Sequence, residues 1–183
     1  QVSNLSKHFG EQVLFDAVGF QLGSRERVGL VGRNGSGKST LFKIILNELI
    51  SDGGEVSIPK GYKIGALSQH IHFTKDTVKD ECTQVLNPDD YNEFEAEKIL
   101  FGLGFNDEDL KRDPKSFSGG YQIRINLAKV LLTKPDLLLL DEPTNYLDIV
   151  SMRWLKTFLK NFTGEIMLIT HDRDFMDDVV THT

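Results

Sequence analysis

One short stretch constrains this chain more than any other. Residues 32–40 match the phosphate-binding pattern G-x-x-x-x-G-K-S. Residues 27–31 before it have the pattern of a short strand, and residues 41–46 after it have the apolar spacing of a helix. In that setting, glycines let backbone N–H groups turn toward a phosphate chain, and the helix N-terminus adds its positive dipole end. The predicted phosphate-binding residues are Gly32, Arg33, Asn34, Gly35, Ser36, Gly37, Lys38, Ser39 and Thr40.

Two side chains of this loop have specific expected roles. Lys38 can reach the β- and γ-phosphates, and the hydroxyl of Ser39 can ligate Mg²⁺. The pattern alone leaves several ATPase, GTPase and kinase classes open, so the remainder of the chain has to separate them.

Net charge and cysteine content limit the partners and the cellular compartment expected for the protein. The net charge of −6 over 183 residues gives no overall attraction to nucleic acid or anionic lipid. The single cysteine, Cys82, excludes an internal disulfide, and neither a leader peptide nor an apolar run of membrane-spanning length is visible. We therefore expect a cytoplasmic protein. The abrupt first and last residues also suggest a fragment of a longer chain.

The pattern of the chain predicts three regions. Residues 2–30 have the turns and alternating apolar positions of short strands, and residues 55–58 and 62–67 suggest a hairpin. Two helices are predicted within residues 74–113, which are strongly acidic and form either a solvated surface or a docking face for a basic partner. A helix opened by residues 118–120 is expected to carry one apolar stripe of Ile123, Leu127, Val130 and Leu131.

Two adjacent carboxylates follow a strand predicted to be buried on both faces. Residues 137–140 are all leucine, and Asp141 and Glu142 come directly after them. Ligands of open α/β sheets bind at the carboxyl ends of strands, so Asp141 could hold Mg²⁺ and Glu142 could deprotonate an attacking water. Capping of the next helix is the structural alternative, which Pro143 disfavours.

The order of these features resembles that of the ATP-binding-cassette (ABC) ATPases, over essentially the whole chain. Residues 117–122, Phe-Ser-Gly-Gly-Tyr-Gln, are similar to the family's signature motif, with Phe where Leu is frequent. Gln69 matches the Q-loop, residues 145–148 match the D-loop, and His171 matches the switch histidine. Phe9, with Phe15 as a nearby alternative, matches the aromatic residue that stacks on adenine.

The resemblance implies a fold and an activity. It implies an α/β P-loop NTPase of ABC type, a single domain over residues 1–183, with a mixed core sheet, an antiparallel β subdomain and a small helical subdomain at about 74–117. It further implies Mg²⁺-dependent ATP hydrolysis, with Gln69 and His171 assisting Glu142, and Gln69 also contacting the metal. Ser118, Gly119 and Gly120 would bind the ATP held by a second cassette, so this chain would need that partner for full activity.

Details of two motifs point to one branch of the family. Residues 141–148, Asp-Glu-Pro-Thr-Asn-Tyr-Leu-Asp, and residues 170–175, Thr-His-Asp-Arg-Asp-Phe, resemble the forms found in ABC-F proteins. That resemblance implies the first of two cassettes in a translation factor that acts on the ribosome.

Two other readings stay open alongside the translation factor. One is the motor of a membrane transporter, docked to a membrane subunit, and a weaker one is an ATPase of DNA-repair or chromosome type. Only 48 residues separate Gln69 from Ser118, which is short for the helical arm that ABC-F proteins often insert; residues 87–90 are the expected place for it.

Overall fold

The computed structural model describes residues 1–67, 71–86 and 92–183. Gln69 and the expected arm position at 87–90 lie outside these residues. The strands are β1 (Val2–Phe9), β2 (Gln12–Phe20), β3 (Arg27–Gly29), β4 (Gly53–Val56), β5 (Ile64–Ala66), β6 (Leu137–Asp141) and β7 (Glu165–Ile169). The helices are α1 (Lys38–Ile45), α2 (Val78–Thr83), α3 (Glu93–Gly102), α4 (Gly119–Leu132), α5 (Ile149–Lys160) and α6 (Arg173–Val179).

The chain divides into two compact units, each made of more than one segment of the sequence. The first unit contains Gln1–Ile64, Asp136–Asp141 and Thr163–Thr183, and the second contains Gly65–Pro135 and Glu142–Phe162. The predicted α/β class with a separate antiparallel sheet is confirmed: one sheet has the order β2-β1-β4 and the other β3-β7-β6-β5.

The parallel strands of the first unit form its core. β7 lies between β3 and β6 and pairs with both in parallel register, Met167 opposite Val28 on one side and Leu139 on the other. Leu138, Leu140, Ile166 and Leu168 have no exposed surface. A strand flanked on both sides and covered on both faces is expected to be continuously apolar, which explains the four consecutive leucines of β6.

The helices of the second unit enclose an ion pair as well as apolar side chains. Glu81 of α2 is fully buried, accepts hydrogen bonds from the backbone N–H groups of Thr74 and Lys75, and pairs with Lys129 of α4. Beside it, burial raises the pKa of the Cys82 thiol to about 12. The acidic stretch is therefore not a solvated surface throughout, because the side chain of Glu81 is buried in the second unit.

Two expectations about local packing were wrong. Residues 53–56 and 64–66 do not form a hairpin, because β4 pairs with β1 while β5 belongs to the other sheet. The buried stripe of α4 is also displaced: Leu127 and Leu131 are buried as expected, but Ile123 and Val130 are partly exposed, and Arg124 and Ile125 are buried instead.

No helix within the described ranges 1–67, 71–86 and 92–183 combines the length and the apolarity needed to cross a bilayer.

Candidate functional site

Three predicted site elements meet at the carboxyl edge of the parallel sheet in the first unit. Gly29 at the end of β3 pairs with Leu168 of β7, and Asp141 at the end of β6 pairs with Ile169. The phosphate-binding loop follows β3, Asp141 ends β6, and His171 follows β7. The register of the strands thus brings the loop and Asp141 to one edge, where the chain beyond β7 carries His171.

Glycine is required at particular positions of the loop. Gly35 and Gly37 have φ angles of 80° and 94°, which disfavour residues with a side chain. A Cβ on Gly37 would lie 2.7 Å from Leu14 Cγ and 2.8 Å from Phe15 Cζ, because side chains of β2 pack directly against the loop at this glycine. A Cβ on Gly32 would lie 2.6 Å from Ser36 Oγ. Residues 32–36 are exposed, and a loop of this shape presents its amides rather than side chains.

The first turn of α1 carries the two functional side chains of the loop. The helix begins at Lys38 after Gly37, which provides no side chain to cap the first N–H groups. Lys38 Nζ donates hydrogen bonds to the carbonyl oxygens of Gly32, at 2.9 Å, and Arg33, at 3.2 Å, which holds the ammonium over the loop. The positive charge and the uncapped helix N-terminus both favour an anion at this place.

A hydrogen bond joins the loop to the strand-end carboxylate. Ser39 Oγ donates to Asp141 Oδ2 at 2.5 Å, although the two residues are 102 positions apart in sequence. A hydroxyl and a carboxylate oxygen at one point are oxygen ligands of the kind that Mg²⁺ prefers, beside a loop suited to phosphate. The donor set of the first unit therefore fits a magnesium ion bound together with a nucleotide.

His171 and Phe9 are both available on the surface of the first unit. His171 is exposed and precedes α6, whose first turn is capped by Asp172 through a bond from the Phe175 N–H at 2.9 Å. Phe9 at the end of β1 is 51% exposed, with Lys7 Nζ 5.5 Å from its ring centre. Phe15, the alternative aromatic residue, packs against Gly37 instead. Of these two rings, Phe9 is the more exposed.

Glu142 belongs to the second unit and begins a sequence of tight turns. Its φ is 49°, its side chain is half-buried, and its carbonyl accepts a hydrogen bond from the Asn145 N–H at 3.3 Å. The cap of the following helix is Asp148, whose carboxylate accepts from the Ser151 N–H at 2.9 Å. The paired acids 141 and 142 are thus not the cap of α5, and that structural alternative for them is removed.

The predicted signature residues form the start of α4 in the second unit. Ser118 precedes the helix, and its hydroxyl makes no capping bond to the first turn. Behind it, the ring of Phe117 lies 5.6 Å from that of Phe105 and 5.9 Å from that of Tyr121. Phe in place of the more frequent Leu is therefore accommodated by an aromatic cluster. Ser118 and Gly119 are exposed, so this helix N-terminus is open to a partner.

Comparisons with known proteins identify the family of this chain. A family model described as ABC transporter matches residues 15–145. The ATP-binding protein YdiF of Bacillus subtilis is 36% identical over 222 residues, covering 98% of this chain and 35% of that protein. The ABC transporter ATP-binding protein YfmM of Bacillus subtilis is 37% identical over 221 residues, covering 98% and 43%. The energy-dependent translational throttle protein EttA of Escherichia coli is 35% identical over 187 residues, covering all of this chain and 34% of that protein.

The relatives are longer than this chain in two ways. The chain spans about a third of YdiF and EttA. The alignment with YdiF also runs over 222 residues, more than the 183 of this chain, so YdiF carries residues within the matched region that this chain lacks.

Solved structures show the same fold. The ATP-binding subunit of an ABC transporter superposes with a TM-score of 0.80 at 23% identity, covering 98% of this chain and 82% of that one. A dimeric ATP-binding cassette bound to ADP and phosphate superposes with a TM-score of 0.77 at 23% identity, covering 97% and 90%.

Proposed function

The chain belongs to the ABC transporter family as an ATPase cassette, and from that premise we propose that it hydrolyses Mg²⁺-bound ATP with a second cassette, on the ribosome. The observation that carries the first part is the bond between Ser39 Oγ and Asp141 Oδ2, which joins the phosphate-binding loop to the strand-end carboxylate. Mg²⁺ bound there would offset the negative charge of the phosphates.

The side chains of this chain divide the work of binding and positioning. The amides of residues 32–37 and the ammonium of Lys38 bind the phosphates, and Phe9 stacks on the base. Glu142 accepts a proton from the attacking water, Gln69 orients that water, and His171 donates a hydrogen bond to the terminal phosphate.

We predict that Asp141→Asn raises the Mg²⁺ concentration needed for half-maximal hydrolysis by about tenfold or more, since a neutral amide oxygen is a weaker ligand for a hard cation. Titrating MgCl₂ at fixed ATP measures the effect. Asp136→Asn, at the opposite end of β6, is the matched control and keeps the wild-type requirement. An unchanged requirement in Asp141→Asn would remove Asp141 from the metal site.

A second cassette is proposed because the exposed turn at Ser118–Gly120 presents a helix N-terminus and so suits an anion brought by a partner. A cassette of the same fold forms a dimer that binds ADP and phosphate, which supports a partner cassette. Each ATP would then lie between the loop of one cassette and the signature turn of the other.

The ribosome is proposed from motif details and from one relative. The forms of residues 141–148 and 170–175 resemble those of ABC-F proteins. A relative 35% identical over the whole chain is named an energy-dependent translational throttle. Both observations favour translation over membrane transport.

The test uses the full-length protein with Glu142→Gln to hold ATP. We expect it to co-sediment with ribosomes when ATP and Mg²⁺ are present, and to be released when ADP replaces ATP. Lys38→Ala in the same background should abolish the effect, because nucleotide binding is lost. Absence of ribosome binding, or co-purification with a membrane subunit, would replace the translation role by the transporter alternative.

A further inference from the structure

Arg124 connects three segments of the second unit. It lies in the second turn of α4 and is 7% exposed. Its Nε donates to the Tyr146 carbonyl oxygen at 2.7 Å. One terminal nitrogen donates to the carbonyl oxygen of Leu103 at 3.0 Å and to Asp148 Oδ2 at 3.0 Å. A single buried guanidinium therefore joins α4, the end of α3 and the D-loop at residues 145–148.

The surrounding backbone leaves space for this guanidinium. Gly104 has a φ of 90°, and a Cβ on it would lie 2.8 Å from the Arg124 terminal nitrogen and 3.0 Å from Ser151 Oγ. On another side, the guanidinium carbon lies 4.6 Å from the ring centre of Tyr121. The guanidinium is thus confined by a glycine and an aromatic ring, and its bonds are those of a side chain with little freedom to move.

Asp148 has two tasks in the same network. Its carboxylate caps α5 and also pairs with Arg124. The hydrogen bond from the backbone N–H of Ser151 is the main reason that the pKa of Asp148 lies below its ordinary value; burial opposes it, and the guanidinium of Arg124 adds to the lowering. The D-loop is consequently tied at Tyr146 by its carbonyl and at Asp148 by its side chain, both to Arg124.

We propose that Arg124 is a positioning residue that fixes the D-loop to α4, so that the D-loop and the signature turn Ser118–Gly120 reach a second cassette as one rigid element. The inference rests on the proposed function, because it assigns a role within hydrolysis shared by two cassettes. The planar fork of arginine suits this task, since it donates in several fixed directions at once, whereas lysine offers one compact ammonium.

The experiment compares four variants with wild type at several protein concentrations. Arg124→Gln removes the charge and most donors, and Arg124→Lys keeps the charge without the planar fork of donors. Asp148→Asn removes the ion pair while retaining a side chain that caps helices well. Arg112→Gln is the matched control: Arg112 stacks on Phe117 at 4.2 Å and pairs with Asp109, and no bond from it to residues 145–148 is found among the described residues. Measurements are kcat and KM for ATP, ATP affinity, and amide hydrogen exchange of residues 145–148.

We expect Arg124→Gln to lower kcat by about tenfold or more, with ATP affinity within about threefold of wild type, because the loop that binds ATP is in the first unit. Arg124→Lys should regain part of the rate, and Asp148→Asn should lose several-fold. Exchange at residues 145–148 should become faster in Arg124→Gln, while Arg112→Gln stays within about twofold of wild type throughout.

Each outcome decides between the two proposals. Wild-type kcat and wild-type exchange in Arg124→Gln would overturn the role of Arg124 and leave the proposed function intact. If Arg124→Gln does not fold, Asp148→Asn decides, and a wild-type kcat in it overturns the proposal. If wild type hydrolyses no ATP at any concentration, shared hydrolysis fails, and the exchange measurement alone then reports whether Arg124 fixes the D-loop.

Discussion

Glu142→Gln is expected to lower kcat for ATP hydrolysis by about 10²–10⁴-fold, the usual contribution of general base catalysis. Glutamine has nearly the same shape as glutamate but cannot accept the proton of an attacking water. The phosphate-binding loop and Lys38 are unchanged, so ATP affinity should stay within about threefold of wild type. Single-turnover release of phosphate, together with equilibrium binding of ATP, separates these two effects.

The control for this variant is Glu108→Gln, which removes a carboxylate from an exposed position in the same unit. It should hydrolyse ATP at the wild-type rate. If Glu142→Gln retained more than about a tenth of the wild-type kcat, Glu142 would not be the base. The proton of the attacking water would then have to pass to another group.

Lys129→Met should produce the largest loss of stability, about 3–5 kcal/mol at neutral pH. Glu81 has no exposed surface, and Lys129 is the charged partner that compensates it. Methionine has a similar length but no charge, so the variant leaves a carboxylate uncompensated in the interior. Urea unfolding followed by circular dichroism measures the difference.

The loss of stability in Lys129→Met should depend on pH in a defined direction. Burial alone would raise the pKa of Glu81, but bonds from Lys129 and from the Thr74 and Lys75 N–H groups outweigh it, and the pKa lies below its ordinary value. A lowered pKa gives stability that is present above the pKa of the unfolded chain and is lost as pH falls through the folded value. Without Lys129 the pKa of Glu81 rises, so the difference from wild type should shrink as the solution is acidified.

Lys134→Met is the matched control for both measurements. Lys134 pairs with Glu95 at 2.8 Å, but its side chain is 54% exposed, and exposed pairs contribute about 0–1 kcal/mol. An equal loss of stability in the two variants, or a loss in Lys129→Met that is independent of pH, would show that the ion pair is not what stabilises this part of the unit.

Sequence patterns predicted the features that depend on neighbours along the chain. The phosphate-binding loop, the buried strand before Asp141 and the helix starting after Ser118 were all predicted close to their observed bounds, because glycine spacing and apolar periodicity are local signals. The contact of Asp141 with Ser39 could also be predicted, since both were expected at the carboxyl edge of one sheet.

Other features that depend on distant partners were not predicted. Tyr62 and Ile64 are spaced as in the second strand of a hairpin. In the structure β4 pairs with β1 instead, and no local sequence pattern identifies β1 as that partner. Arg124 interrupts the apolar stripe of α4, and its burial makes sense only once Tyr146 and Asp148 are in place. In the sequence, Glu81 resembles the surface carboxylates of an acidic stretch, and only the structure shows that it pairs with Lys129.

Because β3 pairs with β7, the parallel sheet can form only after both strands have been synthesised. The Arg25 N–H bonds to the carboxylate of Glu165, 140 residues later, just before β3 aligns Arg27 with Ile166. While the chain is being made, β3 and the phosphate-binding loop emerge before β7, the strand that lies between β3 and β6 in the sheet. A nascent chain halted before β7 therefore exposes apolar strands without their central partner, a state in which aggregation or chaperone binding competes with folding. Nucleotide binding can assist folding only after translation has passed that strand.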